Sequence, residues 1–186
     1  MKGFMRWTLG LVFVSLLSAG ALFASAQWAS AAYKAEYKLS VVPGATSGWG
    51  LTAARFAELV NERTNGRINI KVYPSSQLLA GKQTSEFLML RNGAIDFALA
   101  SPINWSPQIK SLNLFSMPFL FPNFKAVDAV TQGEVGQDLF KILEKRGVVP
   151  LAWGENGYRE ISNSKHAIKS PADLKGLKIR VVGSPL

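Results

Sequence analysis

Arg180 stands in a short apolar run, Leu177-Lys178-Ile179-Arg180-Val181-Val182. A guanidinium carries five donors in a fixed fork that matches a carboxylate bidentately and is hard to desolvate alone, so an arginine among apolar neighbours points to an anionic partner. From spacing alone that partner could be a side chain in an ordinary ion pair, or simply water at a sheet edge. Gly44-Ala45-Thr46-Ser47-Gly48-Trp49-Gly50 is a second polar, glycine-rich stretch. It fits neither phosphate-binding fingerprint, yet its amides and the Thr46 and Ser47 hydroxyls could meet a ligand anion, or could do no more than cap a helix. Catalytic chemistry is poorly supplied. The chain has one histidine, His166, in a polar loop without the orienting partner and nucleophile that a general base requires, so it reads as a solvent-exposed loop residue. With no cysteine and dispersed acids, no metal cluster is expected. No catalytic residue and no cofactor is assigned.

The elements that must position these groups follow from periodicity. Tyr37–Val42 alternates apolar and polar residues until Pro43-Gly44 stops it, predicting a strand that enters the glycine-rich loop. Ser47 then caps a helix carrying Trp49, Ala53, Phe56, Ala57 and Val60 at helical spacing, which Asn65-Gly66 ends. Ile68, Ile70 and Val72 predict a second strand, parallel to the first across a βαβ connection. A helix from Lys82 to Asn92 and a strand from Phe97 to Ala100 repeat the pattern. Beyond the aromatic, proline-punctuated stretch 101–122, Val135, Leu139, Ile142 and Leu143 predict another helix, and Val148–Trp153 a further strand. Ser170, Pro171 and Asp173 compose a capped short helix leading into a strand from Leu177 to Val182. Such alternation defines an α/β layered fold around a mostly parallel sheet. Ser101, Arg159, Arg180 and the loop from Gly44 to Trp49 all lie at or after the carboxyl ends of strands, where open α/β sheets bind their ligands.

Composition bounds the rest. The 186 residues are 48% hydrophobic and 18% charged, as in a globular protein. Lys2 and Arg6, an apolar run from Leu9 to Phe23 and the small residues around Ala24-Ser25-Ala26 and Ala29-Ser30-Ala31-Ala32 read as a secretory signal peptide over residues 1–32. A membrane anchor is the competing reading, but the run falls short of the roughly 20 residues a bilayer needs. Removing this segment lowers the formal charge of +9 by only two. The remaining cations are scattered, with no dense arginine run, so nucleic-acid binding is not expected. An exported chain without cysteine must rely on packing for its stability.

Several strings, in order, are similar to the periplasmic solute-binding proteins of tripartite ATP-independent periplasmic (TRAP) transporters, the DctP-like family. They are Tyr73-Pro74-Ser75-Ser76-Gln77-Leu78, Asn92-Gly93-Ala94-Ile95-Asp96-Phe97, Met117-Pro118-Phe119-Leu120-Phe121, Trp153-Gly154-Glu155-Asn156-Gly157 and Leu174-Lys175-Gly176-Leu177-Lys178-Ile179-Arg180-Val181. The resemblance runs from about Tyr37 to the end. It implies a two-lobe periplasmic-binding-protein-like architecture with only the first lobe, 33–155, and the start of the second, 156–186, present. It implies a monomeric receptor, not an enzyme, that delivers an organic acid to TRAP integral membrane subunits. Arg180 would clamp the ligand carboxylate, Arg159 would be the second cation, and Ser101 with the loop bearing Thr46, Ser47 and Trp49 would line the cleft. Trp105 could pack against the ligand, although core packing is its commoner role; Phe115, Phe119, Phe121 and Trp153 are assigned to packing. Because relatives continue past Val182, the isolated chain is expected to be poorly stable or inactive. The alternatives are a secreted α/β enzyme acting on an anionic substrate and a non-functional truncated fragment.

Overall fold

The computed structural model describes residues 33–183, and the signal-peptide reading of residues 1–32 lies outside them. From Glu36 onward the described residues belong to one unit. Its centre is a three-stranded parallel sheet of order β2-β1-β3, with β1 at Tyr37–Val41, β2 at Ile70–Tyr73 and β3 at Phe97–Leu99. The register sets Leu39 beside Val72 on one side and Phe97 on the other. Three helices recur between and after the strands at the predicted places: α1 (Gly48–Arg63), α2 (Glu86–Arg91) and, after the short α3 (Pro102–Trp105) and α4 (Phe124–Gln132), the amphipathic α5 (Glu134–Lys145).

Side-chain alternation divides the sheet into two dry faces. Leu39, Val41 and Ile70 bury themselves against Ala53 and Ala57 of α1, with Phe97, Leu99, Phe56 and Trp49 packed around them. Ser40, Ala98 and Ala100 fall out of phase with that set. Ala98 and Ala100 pack instead on the second cluster, made by Phe87, Trp105, Ile109, Leu112, Leu139, Leu143 and Val148. The result is helix, sheet, helix, the layering that parallel sheets require because both faces must be covered.

Local chemistry explains the boundaries. Ser47 caps α1 by accepting from the amide of Gly50 at 3.1 Å while its hydroxyl donates to the Gly44 carbonyl at 2.6 Å. Gly50 is obligatory there, since a Cβ would lie 2.4 Å from the Ala45 carbonyl oxygen. Asn123 caps α4 by accepting from the Ala126 amide. α2 is shorter than the predicted Lys82–Asn92 helix, because Gln83–Ser85 winds as a tighter 3₁₀ turn and Gly93 takes φ +74° just past its end.

Two predicted strands are not formed. Residues 148–153 and 177–182 carry no regular secondary structure. A strand exists only through a neighbour that accepts its ladder bonds, and β1, β2 and β3 pair only with one another among the described residues. Val149 and Leu151 are left 73% and 68% exposed, and Val181 76%. The capped turn before the second run does form, as a 3₁₀ turn over Pro171–Leu174 with the Ser170–Asp173 capping box intact.

Candidate functional site

The carboxyl ends of β1 and β3 open at the same edge of the sheet, since all three strands are parallel. β1 delivers the loop 42–47. That loop is anchored by the amide of Ser75 donating to the Pro43 carbonyl at 2.8 Å and by the amide of Ser76 donating to that of Val41 at 3.2 Å. Thr46 is exposed on it, whereas the Ser47 hydroxyl is committed to its cap. Trp49, in the first turn of α1, is half-buried, and its indole donates to Asn156 Oδ1. This bond joins the loop to the polar stretch Gly154–Gly157. β3 delivers Ser101, half-buried at the N-cap of α3, with no capping bond from its hydroxyl.

Arg159 and Arg180 both lie in exposed, irregular backbone. The Arg180 guanidinium places Nη2 3.4 Å from Gln83 Oε1, in the turn that precedes α2. The predicted carboxylate clamp therefore has a protein amide near it, and among the described residues no salt bridge to an acid forms at this arginine. His166 is exposed, its Nε2 2.8 Å from the Asp173 carbonyl oxygen. Asp173 accepts from the amides of Lys169 and Ser170 and from the Ser170 hydroxyl, which together hold its carboxyl below the ordinary range. No group of three or more His, Cys, Asp or Glu side chains among the described residues could hold a metal ion.

Of the aromatic residues, Trp105 is core: it is 8% exposed and its ring meets Phe87 at 5.4 Å between centroids. Trp153 packs between Phe140 and Phe115, and Phe115 stacks on Phe121. Phe119 departs from its assignment to packing. It is fully exposed, and its backbone takes a left-handed φ of +58°, uncommon for a bulky residue.

One group escaped the sequence reading. Glu86, the first residue of α2, is wholly buried on the side of the sheet away from α1. Its Oε1 accepts from the Ser40 hydroxyl at 2.6 Å and its Oε2 from the Trp105 indole at 3.2 Å. Burial pushes its carboxyl up to about 7 despite those two donors, which favour the charged form. The signal for it was an acid three and four residues before Met89 and Leu90, on the apolar side of its helix.

A parallel sheet whose strand-end loops gather polar groups at one edge has the layout in which open α/β folds bind their ligands. The comparisons with known proteins agree. Residues 39–186 match the family described as bacterial extracellular solute-binding protein, family 7 (DctP), and the chain belongs to that family. It is 38% identical over 141 residues to the 2,3-diketo-L-gulonate-binding periplasmic protein YiaO of Escherichia coli, covering 76% of this chain and 42% of that protein. It is 36% identical over 145 residues to the C4-dicarboxylate-binding periplasmic protein DctP of Rhodobacter capsulatus, covering 77% and 42%. Among solved structures, a TRAP periplasmic solute-binding protein from Ralstonia eutropha with bound (S)-2-acetolactate superposes with a TM-score of 0.80 at 63% identity, over 82% of this chain and 49% of that one. The chain thus spans about half the length of the proteins it matches.

Proposed function

We propose that this chain is the N-terminal part of a periplasmic receptor that captures a small organic acid and hands it, unchanged, to TRAP membrane subunits. The observation that carries the reading is the 63% identity to a solved receptor holding the hydroxy-keto acid acetolactate, in a family whose other members named here bind a diketo sugar acid and C4 dicarboxylates. In this reading residues 1–32 direct export, 33–155 form the first lobe and 156–186 begin the second. Arg180 clamps the carboxylate, leaving its loose contact with Gln83 when the ligand arrives. Arg159 is the second cation, and Ser101, Thr46, Ser47 and Trp49 line the first lobe's side of the cleft. Contacts from both lobes favour a closed state, so ligand shifts the receptor toward closure.

The test is calorimetric titration of the full-length protein with (S)-2-acetolactate, then with succinate, a hexuronate and a sugar acid, followed by analysis of the recovered ligand. Saturable binding of at least one acid, recovered intact, is expected. Turnover of the acid would replace the receptor with an enzyme, and binding of none would remove the carboxylate reading.

A further inference from the structure

Glu86 is the one fully buried carboxyl among the described core residues, and the receptor reading gives it no role. Its place in the fold gives it another task. Ser40, which donates to Oε1, is the penultimate residue of β1, two residues before the loop 42–47 begins. Trp105, which donates to Oε2, ends α3, the single turn that starts at Ser101. The turn just before Glu86 carries Gln83, which meets Arg180, and Thr84, whose carbonyl accepts from Gln108 Nε2 at 3.0 Å just past α3. One carboxyl thus joins the strand end, the post-β3 helix and the turn under the arginine, all three of which border the proposed cleft.

We propose that Glu86 is a positioning residue whose proton controls how firmly the two loop-bearing edges of the cleft, 42–47 and 101–105, are clasped together. The proposal rests on the receptor reading for the location of the cleft, and adds a regulation to it.

The direction follows from the surroundings. Among the described residues no charged partner offsets the ionised form. The groups facing the carboxyl are the Ser40 hydroxyl from β1 and the Trp105 indole from α3. The charged side chains on the elements around it, Lys38 on β1, Lys82 and Arg91 at either end of the α2 segment and Lys110 beyond α3, are exposed. Charging an enclosed carboxylate favours any opening that lets it reach water, so the clasp is firm when Glu86 is protonated and loosens as pH rises toward neutrality. A glutamine would stay neutral, accept from Trp105 and donate to Ser40, holding the clasp at every pH.

Hydrogen exchange on the full chain at pH 5.5 and 7.5, corrected for intrinsic rates, tests this directly. In the wild type, opening of amides in 42–47 and 101–105 should increase roughly tenfold or more between the two pH values, and Glu86→Gln should abolish that change. Trp105→Phe, which keeps a ring but removes one donor to the charged form, should move the midpoint upward and serves if the glutamine variant is poorly folded. No pH effect at these edges, an equal effect in Glu86→Gln, or an effect spread evenly over α5 and β2 would overturn the proposal. Affinity for (S)-2-acetolactate, measured alongside, should weaken over the same pH span in the wild type only. If no acid binds while the exchange pattern holds, the receptor reading fails and the clasp stands.

Discussion

The sheet with its helices and the run from Val149 to Gly183 are built from similar residues and have opposite fates. In the first, Leu39, Val41 and Phe87 are 3%, 0% and 0% exposed. In the second, Ile161, Ile179 and Val181 stand open to solvent. Apolar residues at strand spacing are therefore not a fold in themselves; what separates the two regions is whether a neighbour is present on each side. The well-packed region carries the loops, and the sparsely packed one, anchored chiefly through Trp153, carries both candidate cations, Arg159 and Arg180.

Mutations should separate the two regions sharply. Phe87→Ala leaves a cavity in the cluster beneath the sheet and should cost roughly 3–5 kcal/mol of stability in urea unfolding, whereas Val181→Ala should change it by less than about 0.5 kcal/mol. Comparable losses at both positions would erase the distinction. Arg180→Ala in the full-length receptor should leave the urea midpoint alone and cost about 2–5 kcal/mol of carboxylate affinity; unchanged calorimetric affinity removes the clamp.

Next in size is the pH dependence of the packed region. The Glu86 carboxyl sits at about 7 in the fold against an ordinary 4.5. The folded state therefore binds the extra proton between those values, and its stability is full below about 4.5 and lost progressively as pH rises to about 7. Above that, Glu86→Gln should exceed the wild type by roughly 2–3 kcal/mol, with the two converging at pH 4.5; parallel curves would refute the assignment. The smallest effect belongs to the edge itself. Ser47→Ala removes the α1 cap and should cost about 1 kcal/mol, and any larger loss of ligand affinity than of stability would reveal a direct contact by that hydroxyl.

What the sequence made legible was local. β1, β2, β3, α1 and α5, the Ser47 cap and the Ser170–Asp173 capping box all rest on spacing within a dozen residues, and all form where expected or within a residue or two. The failures at 148–153 and 177–182 are failures of pairing, which no window of one segment contains. α4 was hidden by the aromatic stretch before it, although Asn123 offered a capping signal. Among site residues, Ser101, Thr46 and Trp49 come to the strand-end edge by topology. Arg159 and Arg180 lie in exposed chain, because the expected strand at 177–182 pairs with no neighbour among the described residues. Glu86 was overlooked because an acid at a helix start ordinarily faces water, and only the third dimension puts Ser40 and Trp105 around it.

The strand order β2-β1-β3 also bears on how the molecule comes into being. β1 is the first of the described strands along the chain and the central one in space, so its second edge waits for β3, whose pairing partner for Val41 is Leu99. At roughly 5–20 residues per second, synthesis takes several seconds to bridge that interval. Parallel partners so distant along the chain close slowly in any case. The middle of the sheet is thus completed late, and the free edge of β1 keeps its backbone groups open until β3 has been made.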